Sequence, residues 1–502
     1  MFGAILSVFI VNLILWIYLR WMSVKQYWAK LGVPHLPPHP LLGSLTFLQR
    51  TNPAIWMIDM HRKFKTPYVG VWLFWKPALV INSPDIARNV LVKDFANFKN
   101  RFLQPGSHDP LRHSMFTAND PLWSSIRRSL TTVFTASKLK ALQSIFDTKT
   151  RELIQRINST EEKSKIDIRM LCTDYSTDII ATASFGVKTN ATLTGEDPIR
   201  TVTKCFMKFD LYKGICWSAI SFFPKVADLF RFPLFSKWST DYFRKVFLSV
   251  SKLREEWTYI NEPKDLLDSL LKLKEDKLQN KEGFSDEVIL AQAVVFLVGG
   301  YETSGSTLSF ALYELAFQPD IQQKLYREIM DAKEKSRKDY LDMHELAELT
   351  YLNCVIKETL RKYPTLSWLD RVALNNYKVD DNLTISAGTT VYVNVVGMHY
   401  NSDYYSEPDT FNPDRFLPEN EKDLVPFTYM PFGEGPRSCI GKRFGLITLR
   451  SALTALVLNY KFLPIPGAPK PSEVEFEKHC FFMVPGETLH LEILRRDEVV
   501  SA

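Results

Sequence analysis

The run from Ser285 to Pro319 constrains this chain more than any other part of it. Ser285 stands before Asp286 and Glu287, a serine cap followed by acidic residues in the first turn, and Pro319 closes the run. The helix so bounded is roughly 48 Å long at about 1.5 Å per residue. From Val288 to Val298 it is apolar almost all round, yet that stretch is shorter than the roughly 20 residues of a membrane span, so it belongs inside protein. Such a helix must cross the whole molecule, with the remaining chain wrapped around it. Two glycines in its interior, Gly299 and Gly300, each cost about 1 kcal/mol relative to alanine. They leave room for a ligand lying flat against the helix, beside Glu302 and Thr303, whose hydroxyl can turn towards that ligand.

The rest of the sequence reads as one large domain of 502 residues without internal repeats. Tyr68 to Phe74 and Ala78 to Asn82 read as a hairpin-like strand pair, and Thr389 to Val396 and Thr488 to Leu494 as further strands. From Leu122 to Phe317 the spacing is mostly that of amphipathic helices, broken near Pro224 and Pro233. The fold class expected is mainly α with small β-sheets. A content of 46% hydrophobic and 24% charged residues excludes a disordered chain. The net charge of +6, without any basic tract, argues against nucleic acid and suits an acidic partner or an anionic membrane. Six cysteines lacking any CxxC pair exclude a zinc site or a disulfide framework. The sequons at Asn158, Asn190 and Asn382 read as unused cytosolic ones.

Phe2 to Leu19 form an apolar run of roughly 27 Å as a helix, close to the thickness of a bilayer core. The positive charges Arg20, Lys25 and Lys30 follow it, which predicts an uncleaved anchor with the body of the chain in the cytosol. Four prolines between Gly32 and Gly43 give a stiff spacer. The expected organisation is an anchor over 1–20, a basic linker and Pro-rich hinge over 21–44, and a catalytic domain over 45–502.

The sharpest chemical signal is Pro431–Gly441, PFGEGPRSCIG, followed by an apolar helical pattern from Arg443 to Leu458. Cys439 then sits at a helix start, where backbone N–H groups and the helix dipole stabilise a thiolate and lower its pKa. The flanking glycines let a flat ligand approach the sulfur. Phe432, Gly435, Arg437, Cys439 and Gly441 fill every specified position of the haem-binding pattern of the cytochrome P450 superfamily, which this chain resembles.

Further matches are spread along the chain. Gly299 to Ser304 resembles the stretch that carries the family's acid–alcohol pair, here Glu302 and Thr303, which delivers protons during oxygen activation. Glu358-Thr359-Leu360-Arg361 and Pro413-Asp414-Arg415-Phe416 resemble the family's structural network of one glutamate and two arginines, Glu358, Arg361 and Arg415. Trp123 and Arg127, with Arg371 and Arg437, resemble the residues that meet the haem propionates.

The resemblance implies a cytochrome P450-type fold, with a long helix over haem b and the cysteine loop beneath it, and Cys439 as the axial thiolate of the iron. It implies a monooxygenase that takes NADPH electrons through a flavoprotein reductase, with cytochrome b5 as a second donor, at the endoplasmic reticulum membrane. A haem-thiolate isomerase that rearranges peroxides commonly lacks the acid–alcohol pair; a haem-based sensor or a lipophile-sequestering protein would need the pocket alone. NADPH consumption separates them. The pattern looks most like insect microsomal members that oxidise plant toxins and insecticides, with endogenous lipids or hormones as alternatives. Thr365, Ser367 and the loop over 108–116 depart from relatives where the family meets substrate. Residues expected on the substrate are Phe116, Val295, Val298, Trp368 and Met483.

Overall fold

The computed structural model describes residues 2–131, 134–255, 266–278, 284–338 and 340–496. Its first element is helix α1 (Phe2–Lys30), whose apolar residues up to Leu19 are exposed while Val24 and Trp28 are buried. The expected anchor and the start of the expected linker therefore share one helix. The base of α1 is held to a hairpin of strands β1 (Tyr68–Leu73) and β2 (Lys76–Ile81). Trp28 Nε1 donates to the Val71 carbonyl at 3.0 Å, and Trp72 Nε1 donates to the Val24 carbonyl at 3.1 Å. The Pro-rich spacer also touches this hairpin, with the Gly70 amide donating to the Pro34 carbonyl at 2.8 Å.

The hairpin belongs to a four-stranded sheet, completed by β3 (Leu369–Val372) and β4 (Thr390–Val393) in the order β1, β2, β4, β3. The β4 strand runs parallel to β2 and antiparallel to β3. The expected strand over Thr389 to Val396 is cut short, because Asn394 caps a short helix, Val395–His399, by accepting from the Gly397 amide at 2.8 Å. Its side-chain nitrogen is fixed by the Met57 carbonyl and by Asn82, partners more than three hundred residues away. A second sheet joins Ile166–Asp167, His490–Arg495 and Tyr460–Pro464.

A small antiparallel pair, Tyr377–Lys378 and Thr384–Ile385, forms a third sheet, and the remaining elements are helices. Those that build the site are α2 (Leu122–Thr131), α3 (Ile168–Phe185), α4 (Asp286–Phe317), α5 (Thr350–Lys362) and α6 (Lys442–Asn459). The Ser285 side chain caps α4 by accepting from the Val288 amide, and α4 is buried over nearly its whole length. It packs along α3 through glycines. A Cβ at Gly300 would stand 2.5 Å from Ile180 Cγ1, and one at Gly305 would stand 2.7 Å from Thr173 Cγ2. Ser176 Oγ donates to the Tyr301 carbonyl at 2.7 Å across the same contact.

A Cβ added at Gly70 would fall 2.4 Å from the Trp28 ring, so glycine is what lets α1 sit on the hairpin. Gly70→Val is therefore expected to destabilise the protein by about 1–3 kcal/mol, as overpacking does. Thermal unfolding of the full chain in detergent measures this, and an unchanged midpoint would mean that the base of α1 does not dock there.

Candidate active site

The loop before α6 is shaped by two glycines in the left-handed region, Gly433 at φ 67° and Gly435 at φ 74°. Gly435 passes so close to the Leu91 carbonyl that a Cβ would lie 2.0 Å from its oxygen. The Cys439 amide donates to the Phe432 carbonyl at 2.8 Å, which folds the loop back under the cysteine. Protein surrounds Cys439, yet its sulfur opens onto an internal cavity of about 300 Å³. Burial raises the thiol pKa; the Gly441 amide, Arg127 and Lys442 act in the opposite direction without overcoming it. The lowered pKa expected from the helix start thus does not hold for the free thiol. A metal ion at the sulfur reverses the balance, because a coordinating thiol is deprotonated.

Cys439 and Phe432 form one wall of the cavity, and Val295, Val298, Gly299 and Thr303 of α4 form another. Among the described residues Gly299 has nothing within 4 Å of its Cβ position, so of the two paired glycines it is the one that leaves open space, while Gly300 serves the contact with α3. The Thr303 hydroxyl donates to the Gly299 carbonyl at 2.6 Å, a bond to the backbone where the sequence suggested a turn towards the ligand. Glu302 does not line the cavity. It is 2% exposed, accepts from Arg169 Nη2 at 3.1 Å and from Ser306 Oγ at 2.7 Å. Adjacent residues of a helix point about 100° apart, which separates the pair.

The cationic residues gather at another side of the cavity. Arg437 lies over the Trp123 ring at 4.1 Å and donates to the Lys99 and Ala118 carbonyls, leaving Nη1 without a partner among the described residues. Arg101 pairs with Asp370 at 3.2 Å and Arg371 donates to the Asp370 carbonyl at 2.7 Å; among the described residues both leave Nε without a partner. Burial, reinforced by Arg101, depresses Arg371 to about 9. Burial together with Arg101 and Arg371 depresses Arg437 to about 8. This cluster is short of negative charge, which the two propionates of a haem would supply. Arg127 donates to the Ser438 carbonyl at 2.9 Å, beside the cysteine. The donor set therefore fits a haem: a sulfur on one side, open space against Gly299, and guanidiniums with free N–H groups. Arg371 belongs to the cluster but is not on the cavity wall, whereas Arg101 is. No motif marks Arg101 in the sequence, and its partner Asp370 lies 269 residues away.

Of the residues expected on the substrate, Phe116, Val295 and Val298 line the cavity, while Trp368 and Met483 do not. Trp368 packs against Phe222 and Tyr392 instead, at ring distances of 6.0 and 6.2 Å. Met483 is 1% exposed and its amide donates to the Thr365 carbonyl. Beside them Leu366, Leu369, Phe481 and Phe482 take the inward positions. Trp217, Leu234 and Phe235 complete the wall from a region that the sequence reading passed over.

Beneath the loop, Arg361 makes a bidentate pair with Glu358 at 2.7 and 2.8 Å, and Arg415 approaches the same carboxylate at 3.4 Å. Arg361 also donates to the His399 carbonyl at 2.9 Å. The His399 ring ties this network to the cysteine loop. Its Nε2 accepts from the Met430 amide at 3.0 Å, so Nδ1–H donates to the Arg361 carbonyl at 2.9 Å. The sequence carries no signal for this histidine. Burial depresses it from 6.5 to about 3, so it is neutral in the folded chain. A base with a lowered folded pKa binds its proton more readily when unfolded, so folding loses stability as pH falls below 6.5 towards 3. Denaturant midpoints across that range should fall more steeply for the wild type than for His399→Gln. A constant difference between the two proteins would rule out a buried neutral imidazole.

A family model described as cytochrome P450 matches residues 33–491. Among curated proteins, cytochrome P450 6k1 of Blattella germanica is 31% identical over 491 residues, covering 93% of both chains. Probable cytochrome P450 6a23 of Drosophila melanogaster is 34% identical over 87% of this chain and 88% of its own. Cytochrome P450 6a2 of Drosophila melanogaster is 32% identical over 87% of this chain and 89% of its own.

Proposed function

The chain belongs to the cytochrome P450 family, and on that footing we propose that it is a membrane-anchored, NADPH-dependent monooxygenase of lipophilic compounds. One observation carries the reading: the Cys439 sulfur opens onto the same apolar cavity as Gly299 and Thr303 of α4, beside arginines short of negative charge. When bound, a haem with a thiolate ligand supplies the chemistry that puts one oxygen atom from O₂ into a C–H or C=C bond. The protein holds it through Cys439, with Trp123, Arg127, Arg101 and Arg437 at its edge and Arg371 supporting them. Val295, Val298, Phe116 and Phe482 orient an apolar substrate and exclude water from it. Thr303 holds a hydroxyl at the cavity wall. Glu302 moves protons inward from the side where Arg169, itself partly exposed, reaches solvent.

The substrates are xenobiotics such as plant toxins or insecticides, with endogenous lipids as the alternative class. The exposed apolar part of α1, with its following positive charges, anchors the protein in the endoplasmic reticulum membrane as residues 1–20, ahead of a catalytic domain over 45–502. Arg128, Lys442 and Arg443 are exposed beside the cysteine loop and Arg127 is half-buried there, a basic surface suited to an acidic flavoprotein reductase or cytochrome b5.

The reduced protein with carbon monoxide should show a strongly red-shifted Soret band, and Cys439→Ser should lose that band together with activity. A folded, haem-loaded wild type without the band would overturn the assignment. Thr303→Ala should keep substrate binding but yield less product per NADPH, releasing peroxide, while Thr303→Ser restores coupling. An unaltered product-to-NADPH ratio in Thr303→Ala would leave the hydroxyl with only its bond to Gly299.

A further inference from the structure

Residues 109–117 form a knitted unit over the cavity. Asp109 Oδ1 accepts from the Leu111 amide at 2.9 Å, Thr117 Oγ1 donates to the Leu111 carbonyl at 2.5 Å, and the Ser114 and Thr117 hydroxyls meet at 2.9 Å. Leu111, Met115 and Phe116 of this unit line the cavity. Its outer edge is tied by Asp109 Oδ2, which accepts from the Leu234 amide at 2.9 Å. Its inner edge meets α4, and among the described residues the side-chain hydrogen bonds across that contact all come from Gln292. The Gln292 carbonyl accepts from the Met115 amide at 2.7 Å, and its amide nitrogen donates to the His113 carbonyl at 2.7 Å and to the Val288 carbonyl at 2.9 Å.

Gln292 is 2% exposed and is not on the cavity wall, although Val295 and Gly299, three and seven residues along the same helical face, are. We propose that Gln292, through its bonds to Met115 and His113, is a specificity-determining positioning residue: it sets where Phe116 stands over the cavity. This rests on the monooxygenase reading above. Apolar contact is non-directional and lets a loop slide, whereas a hydrogen bond loses strength within a few tenths of an ångström. With Gln292 removed, the Met115 N–H and the His113 carbonyl are left unpaired in a buried place, and the unit shifts to satisfy them. Phe116 moves with it. The Arg101 guanidinium rests on that ring at 4.5 Å, so the same bonds also help to hold the cationic edge of the cavity.

The test uses the full-length holoprotein and a series of 1-alkylimidazoles, whose ring nitrogen ligates the iron while the chain enters the cavity. Dissociation constants are read from the Soret shift, a measure independent of turnover. Gln292→Met keeps the side-chain length and removes all three bonds; it should change the ratio of affinities between long and short chains by about three- to tenfold. Phe116→Ala should change that ratio too, and the double variant should match Phe116→Ala alone, because Gln292 acts through Phe116. Additive effects, or an unaltered ratio in Gln292→Met, would overturn the proposal and leave Gln292 as fold support. Should Gln292→Met fail to take up haem, Gln292→Glu, which keeps the bond from Met115 and loses the two it donates, passes through the same cycle under the same criteria. A wild type without the thiolate carbon monoxide band would refute the monooxygenase reading, whereas an intact band with additive variants would refute this inference alone.

Discussion

The close approach of α3 to α4 is the constraint from which the rest of the molecule follows. Helix α4 is too apolar to face water on any side, so it needs a neighbour along its length, and Gly300 and Gly305 let α3 come within reach of its backbone. One face of the helix is excepted: from Val295 through Gly299 and Thr303 to Thr307 its surface meets the cavity. Two glycines adjacent in sequence thus do opposite work, one allowing contact and the other preserving a gap.

The cavity's second determinant is charge. Arg101 lies close enough to Arg371 and Arg437 to depress both, Arg371 adds to the effect on Arg437, and the Asp370 carboxylate pairs with Arg101. Desolvated cations with too little counter-charge are costly, so an anionic ligand bound there would contribute to folding stability. The thiol follows the same logic. Burial disfavours the bare thiolate, and a bound metal ion makes it the stable form.

Holding a thiolate under a flat ligand requires a loop that does not move. The buried Glu358–Arg361 pair achieves this because each charge is hydrogen-bonded on several sides, the condition under which a buried ion pair is tolerated. His399 transmits that rigidity to Met430, one residue before the cysteine loop begins. On the opposite wall Gln292 fixes the unit over 109–117 in a comparable way, one polar side chain setting the register between two apolar surfaces.

The sequence by itself determined the features whose causes are local. Eleven consecutive residues around Cys439 encode the tight turns and the helix start, because left-handed glycines and a following apolar helix can be read from their order. The cap at Ser285, the all-round apolar run behind it and the exposed N-terminal helix were legible for the same reason. Tertiary structure alone decided which side chains face the ligand. Arg101 joins the site through Asp370, 269 residues away. Trp368 and Met483 turn away from the cavity while Leu366, Leu369 and Phe482 turn in, because Trp368 finds ring partners in Phe222 and Tyr392 and the Met483 amide is bonded to the Thr365 carbonyl. Glu302 points towards Arg169 and Thr303 towards the cavity wall because a neighbour's charge on α3, absent from any local pattern, gives the carboxylate its partner. Local geometry is written in neighbouring residues; burial and charge pairing depend on partners that only the folded chain assembles.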